Sequence, residues 1–315
     1  MKIEMQNTVV VMPKRKSFAK TVFSRWQLYL MCLPAVVYIL LFAYKPMYGI
    51  LIAFKDFKTK LGVWDSPWVG LDNFERLFNS YWFPVILKNT VVISALSIIL
   101  TFPLPIILAL MVNEIQNGAV RKTFQIISYA PHFISTVVVC GMIIMFTSPT
   151  SGVINQLIEG LGGEVYNFMA DPRAFKWVYI VSAIWQGTGW GTIIYTAALS
   201  AVDKNLHEAA EIDGANRLQR IIHINIPVLI PTIVIMLILR FGQVMSVGYE
   251  KVYLLQNATN LSHSEVISTY VYKVGLQNAE YSFSTAVGLF NSAVNCIFLI
   301  VVNKISDKLS GSSLF

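Results

Sequence analysis

The sequence predicts an all-α membrane protein with six transmembrane helices and with both termini on the cytoplasmic side. The chain has 315 residues, of which 55% are hydrophobic and only 13% charged, a balance typical of membrane proteins. Six uncharged apolar runs each reach the ~20 residues that a helix needs to cross a hydrocarbon core ~30 Å thick. A charged segment, 208–227, separates the fourth run from the fifth.

The first apolar run follows a basic segment, residues 1–25, which contains six Lys and Arg residues. A basic segment before an apolar run also occurs in signal peptides. This run has 19 residues and lacks a small-x-small cleavage site, so we expect a retained first span beside an anionic lipid surface. The six predicted spans are 26–44, 89–113, 123 into the 140s, 177–202, 221–239 and 281–303.

The basic residues near the spans predict the orientation. With both termini inside, the cytoplasmic segments hold thirteen Lys and Arg residues and the outer loops nine. The excess is small, because lysines at 55–60 favour the opposite orientation, but it favours the N-in, C-in topology. The prediction is thus a cytoplasmic segment 1–25, a six-helix domain 26–303 with a cytoplasmic loop 203–227, and a cytoplasmic tail 304–315. The outer loops are then roughly 50–84, 148–176 and 248–280.

The segment 208–227 is predicted to form two short helices. Ala209 and Ala210 share one face of the first helix, where small side chains allow another protein surface to come close. Gly214 is suited to end that helix in the left-handed region, and Asn216 to cap the next one. Pro227 either ends the second helix or begins the following membrane helix, where its missing N–H has no cost.

The spacing within this segment is specific. Glu208-Ala209-Ala210 is followed after three residues by Gly214, and after nine more by Ile224, one residue, and Ile226-Pro227. This pattern resembles the EAA loop, EAA-x3-G-x9-I-x-L-P, of the membrane subunits of binding-protein-dependent ABC importers. Ile226 replaces the usual Leu and keeps its apolar character. A generic amphipathic cytoplasmic hairpin is the alternative explanation.

Three further stretches, LPAVVYILLFAYKPMYGILIAFKDF, GLDNFERLF and RFGQVMSVGYEKVYLLQN, resemble the LplB-like branch, which transports oligosaccharides and polysaccharides. The resemblance implies the type I, MetI-like permease fold and uptake of oligosaccharides, including acidic, polysaccharide-derived ones. It also implies a second homologous permease, two ATPase subunits and an extracytoplasmic solute-binding protein as partners in a bacterial cytoplasmic membrane.

The resemblance also implies residue roles. Glu208 would be the carboxylate that docks on the ATPase, Ala209 and Ala210 would allow the close approach, and Gly214 would make the turn, with Ile224 and Pro227 completing the motif. A solvated surface charge is the alternative for Glu208. The chain has no G-x-x-x-x-G-K-[ST] sequence, so ATP and Mg²⁺ are expected on the partner ATPase and no cofactor on this chain.

One metal-site pattern is incomplete. His207-Glu208-Ala209-Ala210-Glu211 begins like the zinc-protease H-E-x-x-H motif, but Glu replaces the second His. Only His223 lies nearby as a further ligand, so we predict no metal site. The three cysteines all lie in apolar runs and indicate neither a disulfide framework nor a metal site.

Five residues within the fourth and fifth spans are candidates for a substrate cavity. An arginine in lipid is costly, so Arg240 should face a protein or aqueous interior or reach outward, with a structural partner such as Glu250 as the alternative. Its planar fork suits sugar hydroxyls or a uronate carboxylate. Aromatic rings and amides suit sugars, although the glycines beside them also indicate close helix packing. The candidates are Trp185, Gln186, Trp190, Arg240 and Gln243.

Two other functional classes are disfavoured. A secondary transporter needs intramembrane acidic groups, and no Asp or Glu lies within a predicted span. A membrane-embedded enzyme would need paired carboxylates, a Ser-His arrangement or a complete metal motif, none of which is visible. The sequence therefore predicts a non-enzymatic permease.

Overall fold

The computed structural model describes residues 26–311, 313 and 314, so the predicted basic segment 1–25 lies outside the described residues. These residues form helices and turns, with one isolated β-bridge between Lys55 and Trp68. The chain divides into two compact units, Met1–Leu51 and Ile52–Phe315.

The described part of the first unit is helical. Helix α1, Trp26–Ile39, continues into a π-helical turn, Leu40–Tyr44, and a 3₁₀ helix, Lys45–Phe54, whose last residues belong to the second unit. No side chain of α1 is buried, although most are large and apolar. Such a surface is expected of a helix that faces lipid or another membrane subunit. The predicted first span, 26–44, coincides with α1 and the π turn.

The second unit opens with a loop fixed by buried polar bonds. Two short helices, α2 (Gly62–Asp65) and α3 (Asp72–Phe78), lie in it. The buried Lys55 Nζ donates to the carbonyl oxygens of Val63 and Trp64 at 2.9 and 2.8 Å. This lysine is therefore satisfied by backbone within the loop.

The second predicted span is a longer helical stretch than the sequence indicated. Helix α4 is Trp82–Thr101, and α5, Pro103–Asn113, follows after Phe102. The helix thus begins at Trp82 rather than at 89, and Lys88 lies within it. The break coincides with Pro103, which cannot donate a backbone hydrogen bond.

The third predicted span is bent rather than continuous. Helix α6 (Gly118–Tyr129) and a 3₁₀ turn (Ala130–Phe133) precede α7 (Thr136–Phe146), and the two parts meet at 93°. Pro131 interrupts the backbone bonds, and Ser135 starts the second helix by accepting a hydrogen bond from Val138 N.

The rest of the chain alternates long apolar helices with short ones. The bounds of helix α9 agree closely with those of the predicted span 177–202, although α9 is not among the candidate spans found by length and apolar composition. Helix α16 extends the predicted span 281–303 to Ser310. The elements are α8 (Val153–Gly160), α9 (Phe175–Leu199), α10 (Lys204–Ile212), α11 (Arg217–Arg220), a π turn (Ile221–Asn225), α12 (Ile226–Phe241), α13 (Tyr249–Leu255), α14 (Leu261–Ser264), α15 (Ile267–Tyr272), a second π turn (Lys273–Gln277) and α16 (Tyr281–Ser310).

Within the described residues, four helical stretches are long and apolar enough to cross a membrane: Trp26–Phe54, Trp82–Asn113, Arg217–Phe241 and Tyr281–Lys308. The bent pair raises this number to five if it is one span.

In the second unit α9 packs most extensively on α5, and α12 packs on α16. Close contact of α9 depends on glycine, since a Cβ on Gly189 would lie 1.9 Å from Ser128 O. This confirms the prediction that glycines in 177–202 permit close packing.

Candidate functional site

The polar segment after α9 forms a helical hairpin with well-defined caps. Asp203 begins α10 by accepting a hydrogen bond from Asn205 N at 2.9 Å. At the other end Gly214 has a φ of +79°. The N–H of Ala215 donates to Ala210 O at 2.9 Å, and that of Gly214 to Glu211 O at 3.0 Å. These two bonds form a Schellman motif, which confirms Gly214 as the residue that ends the helix.

A capping box starts the second helix of the hairpin. Asn216 Oδ1 accepts from Gln219 N at 2.9 Å, and Gln219 Oε1 accepts from Asn216 N at 2.8 Å, as the sequence predicted for Asn216. An ion pair between Arg220 and Glu211 joins α11 to α10. The turn of the hairpin is therefore fixed by backbone and side-chain bonds within the hairpin itself.

The hairpin presents an unpaired carboxylate and a shallow cavity. Glu208 and Ala209 are exposed, and Glu208 makes no hydrogen bond or ion pair with the described residues. A cavity of about 300 Å³ lies on the inner side of the hairpin. Its lining includes Ala210, Gly214 and Ile224 from the spaced motif. Three motif residues thus line one cavity, and Glu208 is exposed on the same helix as Ala210.

The hairpin continues directly into a membrane helix. After α11 the chain makes the π turn Ile221–Asn225, and Pro227 lies in the first turn of α12. The sequence predicts that Pro227 either ends the second helix of the hairpin or begins the following membrane helix, and the structure shows the latter. The hairpin and α12 are therefore joined without an intervening loop.

At and just beyond the end of α12, two predicted cavity residues line the same cavity walls. Arg240 and Gln243 line one cavity of about 360 Å³ and a second of about 220 Å³. Arg240 is exposed and makes no ion pair with Glu250 or any other described residue. The first cavity includes Gly187, Thr188 and Gly191 of α9, and the second includes Ser94, Ser97, Tyr179 and Ser246.

The two predicted tryptophans lie elsewhere on α9. Trp185 lines a different cavity of about 900 Å³, formed mainly by apolar residues of α7 and α9. Trp190 stacks on His132 with ring centroids 4.5 Å apart and contacts Phe133 edge to face. The structure therefore does not bring either ring to the walls lined by Arg240 and Gln243.

The fifth predicted residue, Gln186, is engaged at both ends of its amide. Its Nε2 donates to Ile134 O at 3.1 Å, at the bend between α6 and α7, and its Oε1 accepts from Lys251 Nζ at 3.3 Å. Lys251 is buried on α13 and lies 5.8 Å from the centre of the Tyr179 ring. Gln186 thus links the bent span to α13.

The fold agrees with a known family. The family described as "Binding-protein-dependent transport system inner membrane component" matches residues 101–310, which include the hairpin and Arg240. The chain belongs to this family. Its members are membrane components of ABC transporters, and this permease is accordingly a non-enzymatic transport subunit.

Relatives of this permease cover almost its full length. The polygalacturonan/rhamnogalacturonan transport system permease protein of Bacillus subtilis is 44% identical over 96% of this chain and 94% of the relative. Protein LplB of the same organism is 42% identical over 92% and 91%. The resemblance to LplB-like permeases is therefore confirmed.

Solved structures show the same permease fold. A bacterial ABC transporter involved in the import of the acidic polysaccharide alginate contains a chain with a TM-score of 0.86 and 40% identity, covering 94% of this chain and all of that one. A second structure, of a bacterial alginate ABC transporter in complex with an alginate pentasaccharide-bound periplasmic protein, contains a chain with a TM-score of 0.87 and 38% identity, covering 95% of this chain and all of that one.

Several residues at these cavities escaped prediction. Tyr179, Ser94, Ser97 and Ser246 line the walls beside Arg240, and Lys251 lies behind Tyr179. The serines are scattered through apolar runs without a recurring pattern, and Lys251 was placed in an outer loop. The sequence contains one signal that Lys251 is buried, namely its helical spacing with the apolar Val252 and Leu255. All three residues are buried together in α13.

Proposed function

We propose that this permease is one membrane subunit of an ATP-driven importer of oligosaccharides in the bacterial cytoplasmic membrane. Its cargo would derive from acidic polysaccharides and arrive on an extracytoplasmic solute-binding protein. A second, homologous permease completes the passage, and two ATPase subunits bind ATP and Mg²⁺. Relatives named for polygalacturonan, rhamnogalacturonan and alginate transport support the choice of cargo.

The observation that carries this proposal is the unpaired Glu208 on a self-capped hairpin. A carboxylate that has no partner within its own chain is suited to pair with a basic residue of a docked ATPase. The exposed Ala209 and half-buried Ala210 leave room for that approach. Since the hairpin is continuous with α12, closure of the ATPase dimer would move α12 and so alternate access to the cavities beside Arg240.

The proposed topology has six spans with both termini in the cytoplasm. Helix α9, at 25 residues, is about 37 Å long and serves as the sixth span beside the candidates already described. Five of the nine basic residues in the outer loops have a hydrogen-bond or ion-pair partner in the protein, which accounts for their presence there without a role in orientation. They are Lys55, Lys58, Arg76, Lys251 and Lys273.

Arg240 and Gln243 are the proposed substrate contacts in the cavity walls. Trp185, Gln186 and Trp190 would influence transport through packing, since their contacts lie elsewhere. Arg240 offers parallel N–H donors to a sugar carboxylate or to vicinal hydroxyls, and Gln243 offers both a donor and an acceptor.

Replacement of Glu208 by Ala tests the docking role. We expect the variant to insert normally, but to lose ATPase co-purification and substrate-stimulated ATP hydrolysis in proteoliposomes, at a cost of ~2–5 kcal/mol in docking. Glu164→Ala, at an exposed carboxylate of the outer loop, is the matched control and should behave as wild type. Normal uptake and normal ATPase retention in Glu208→Ala would contradict the proposal.

The topology has a separate test. Single cysteines at Ile212 and Leu161, which are 87% and 89% exposed, would be placed in a chain whose native cysteines are replaced. An impermeant maleimide should label position 161 in intact cells and position 212 only after permeabilisation. Labelling of position 212 from outside would overturn the topology.

A further inference from the structure

The walls beside Arg240 and Gln243 contain no acidic side chain. The residues lining these two cavities supply one guanidinium, one carboxamide and the hydroxyl groups of serine, threonine and tyrosine. Arg240 has no ion pair within the described residues, so its charge is not neutralised by the chain that carries it. The positive charge is available to a ligand.

A second cation, Lys251, lies next to a residue of the cavity wall. Tyr179 lines the smaller cavity, and Lys251 Nζ lies 5.8 Å from the centre of its ring. The Lys251 side chain is buried, and its ammonium donates to the neutral Gln186 Oε1 at 3.3 Å. Glu250, the adjacent residue, is exposed and forms no ion pair with either cation in the described part of the chain.

Two cations without acidic partners beside the same walls create a positive potential in the cavity, because no negative charge in the lining offsets them. A carboxylate entering the cavity gains from both charges and can accept two parallel bonds from the arginine fork. A neutral sugar of the same shape keeps the hydroxyl contacts but gains little from the field. The arrangement therefore distinguishes the two by charge.

We propose that Arg240, through direct contact, and Lys251, through its field, select oligosaccharides with carboxylate groups over neutral ones within the membrane subunit. This inference rests on the proposed transport of oligosaccharides. It adds a selectivity step that is separate from the choice made by the binding protein, and it gives Tyr179 the role of a positioning residue that holds Lys251 behind the wall.

The test uses the complete transporter in proteoliposomes with two probes, trigalacturonate and its fully methyl-esterified, neutral form. Arg240→Gln should lower the ratio of trigalacturonate uptake to ester uptake ~10-fold. This factor corresponds to the loss of one charge-assisted contact. Lys251→Met should change the same ratio in the same direction by a smaller factor. Lys60→Gln, an equal charge change at an exposed outer residue, should leave the ratio unchanged. The binding protein is identical throughout, so its own preference cancels in the comparison with wild type.

An unchanged ratio in Arg240→Gln, or an equal ratio change in Lys60→Gln, would overturn the selectivity step. If the wild-type transporter takes up neither probe, the proposed function itself fails instead. If the binding protein does not deliver the ester, uptake is replaced by a binding measurement. Equilibrium binding of both probes is then measured on the permease complex in nanodiscs without the binding protein. Equal wild-type affinities for the two probes would then overturn the inference.

Discussion

Asn295 of α16 accepts a hydrogen bond from the backbone N–H of Met245, at 2.9 Å. The same side chain donates to Ser246 Oγ at 3.0 Å. These bonds fix the chain where it turns after α12, just beyond Gln243, to the last membrane helix. The position of the cavity wall that carries Arg240 therefore depends on α16 as well as on α12.

We expect Asn295→Leu to destabilise the permease by ~1–3 kcal/mol, because the Met245 N–H, on a buried residue, would lose its acceptor. Transport should fall more than ATPase docking, since the hairpin is unaffected. The measurement is thermal melting in detergent together with uptake and ATPase co-purification.

Asn291 provides the control, one helical turn away on α16. Its buried Oδ1 accepts no hydrogen bond from the described residues, so Asn291→Leu removes no acceptor from a partner. The melting temperature should be unchanged or raised. A loss of stability equal to that of Asn295→Leu would show that apolar substitution on this helix, rather than the bond to Met245, is responsible.

Gly189→Ala should disrupt the contact between α9 and α6, because the new Cβ would lie 1.9 Å from the Ser128 carbonyl oxygen. Overpacking of this kind costs ~1–3 kcal/mol or more. Gly187→Ala is the packing control, since a Cβ there meets nothing within 4 Å. Fluorescence size-exclusion chromatography should show loss of the folded peak in Gly189→Ala alone, and equal behaviour of the two variants would contradict the packing argument.

The hairpin was predictable because its structure is local. Gly214 and Asn216 act on backbone groups within a few residues, so their roles can be inferred from spacing alone. The bend at Pro131 and Ser135 was missed because apolar composition hides a break inside a run. The partners of Gln186 and Lys251 are distant in sequence and could be found only once the helices were packed. The same limit explains why Trp185 and Arg240, predicted together, line different cavities.

Gly214→Ala should weaken the hairpin through strain and not through a clash. Its φ of +79° disfavours an L-residue by ~1–2 kcal/mol, while a Cβ there meets nothing within 4 Å. We expect reduced substrate-stimulated ATPase activity with little change in overall melting temperature. Gly141→Ala is the control, because it also has open space but no positive φ. Full coupling in Gly214→Ala would rule out a need for the left-handed turn.

Lys251 gives a pH-dependent prediction, because it lies in α13, outside the membrane-spanning helices. Burial lowers the pKa of its ammonium from 10.5 to about 8 by penalising the charged form. Between these two values the unfolded chain binds a proton that the folded chain does not, so this residue makes stability rise with pH from about 8 to 10.5. Below pH 8 the folded state carries the full cost of a buried cation without an acidic partner.

Lys251→Met removes that cost and should melt at the same or a higher temperature than wild type at pH 7, by the equivalent of ~1–3 kcal/mol. The difference should shrink as pH rises from 8 to 10, because wild-type Lys251 becomes neutral. The comparison is made in a Cys140→Ala background, because the Cys140 thiol interacts electrostatically with Lys251 and would titrate differently in the variant. Tyr179 and Glu250, the other titratable groups nearest to Lys251, are the same in both proteins. Melting curves of both proteins at pH 7, 8, 9 and 10 measure this, with Lys60→Met as the exposed-lysine control. If the melting temperatures of wild type and Lys251→Met change with pH in parallel, the Lys251 ammonium is not desolvated. Solvent would then screen this second cation, and it could not contribute to the potential in the cavity.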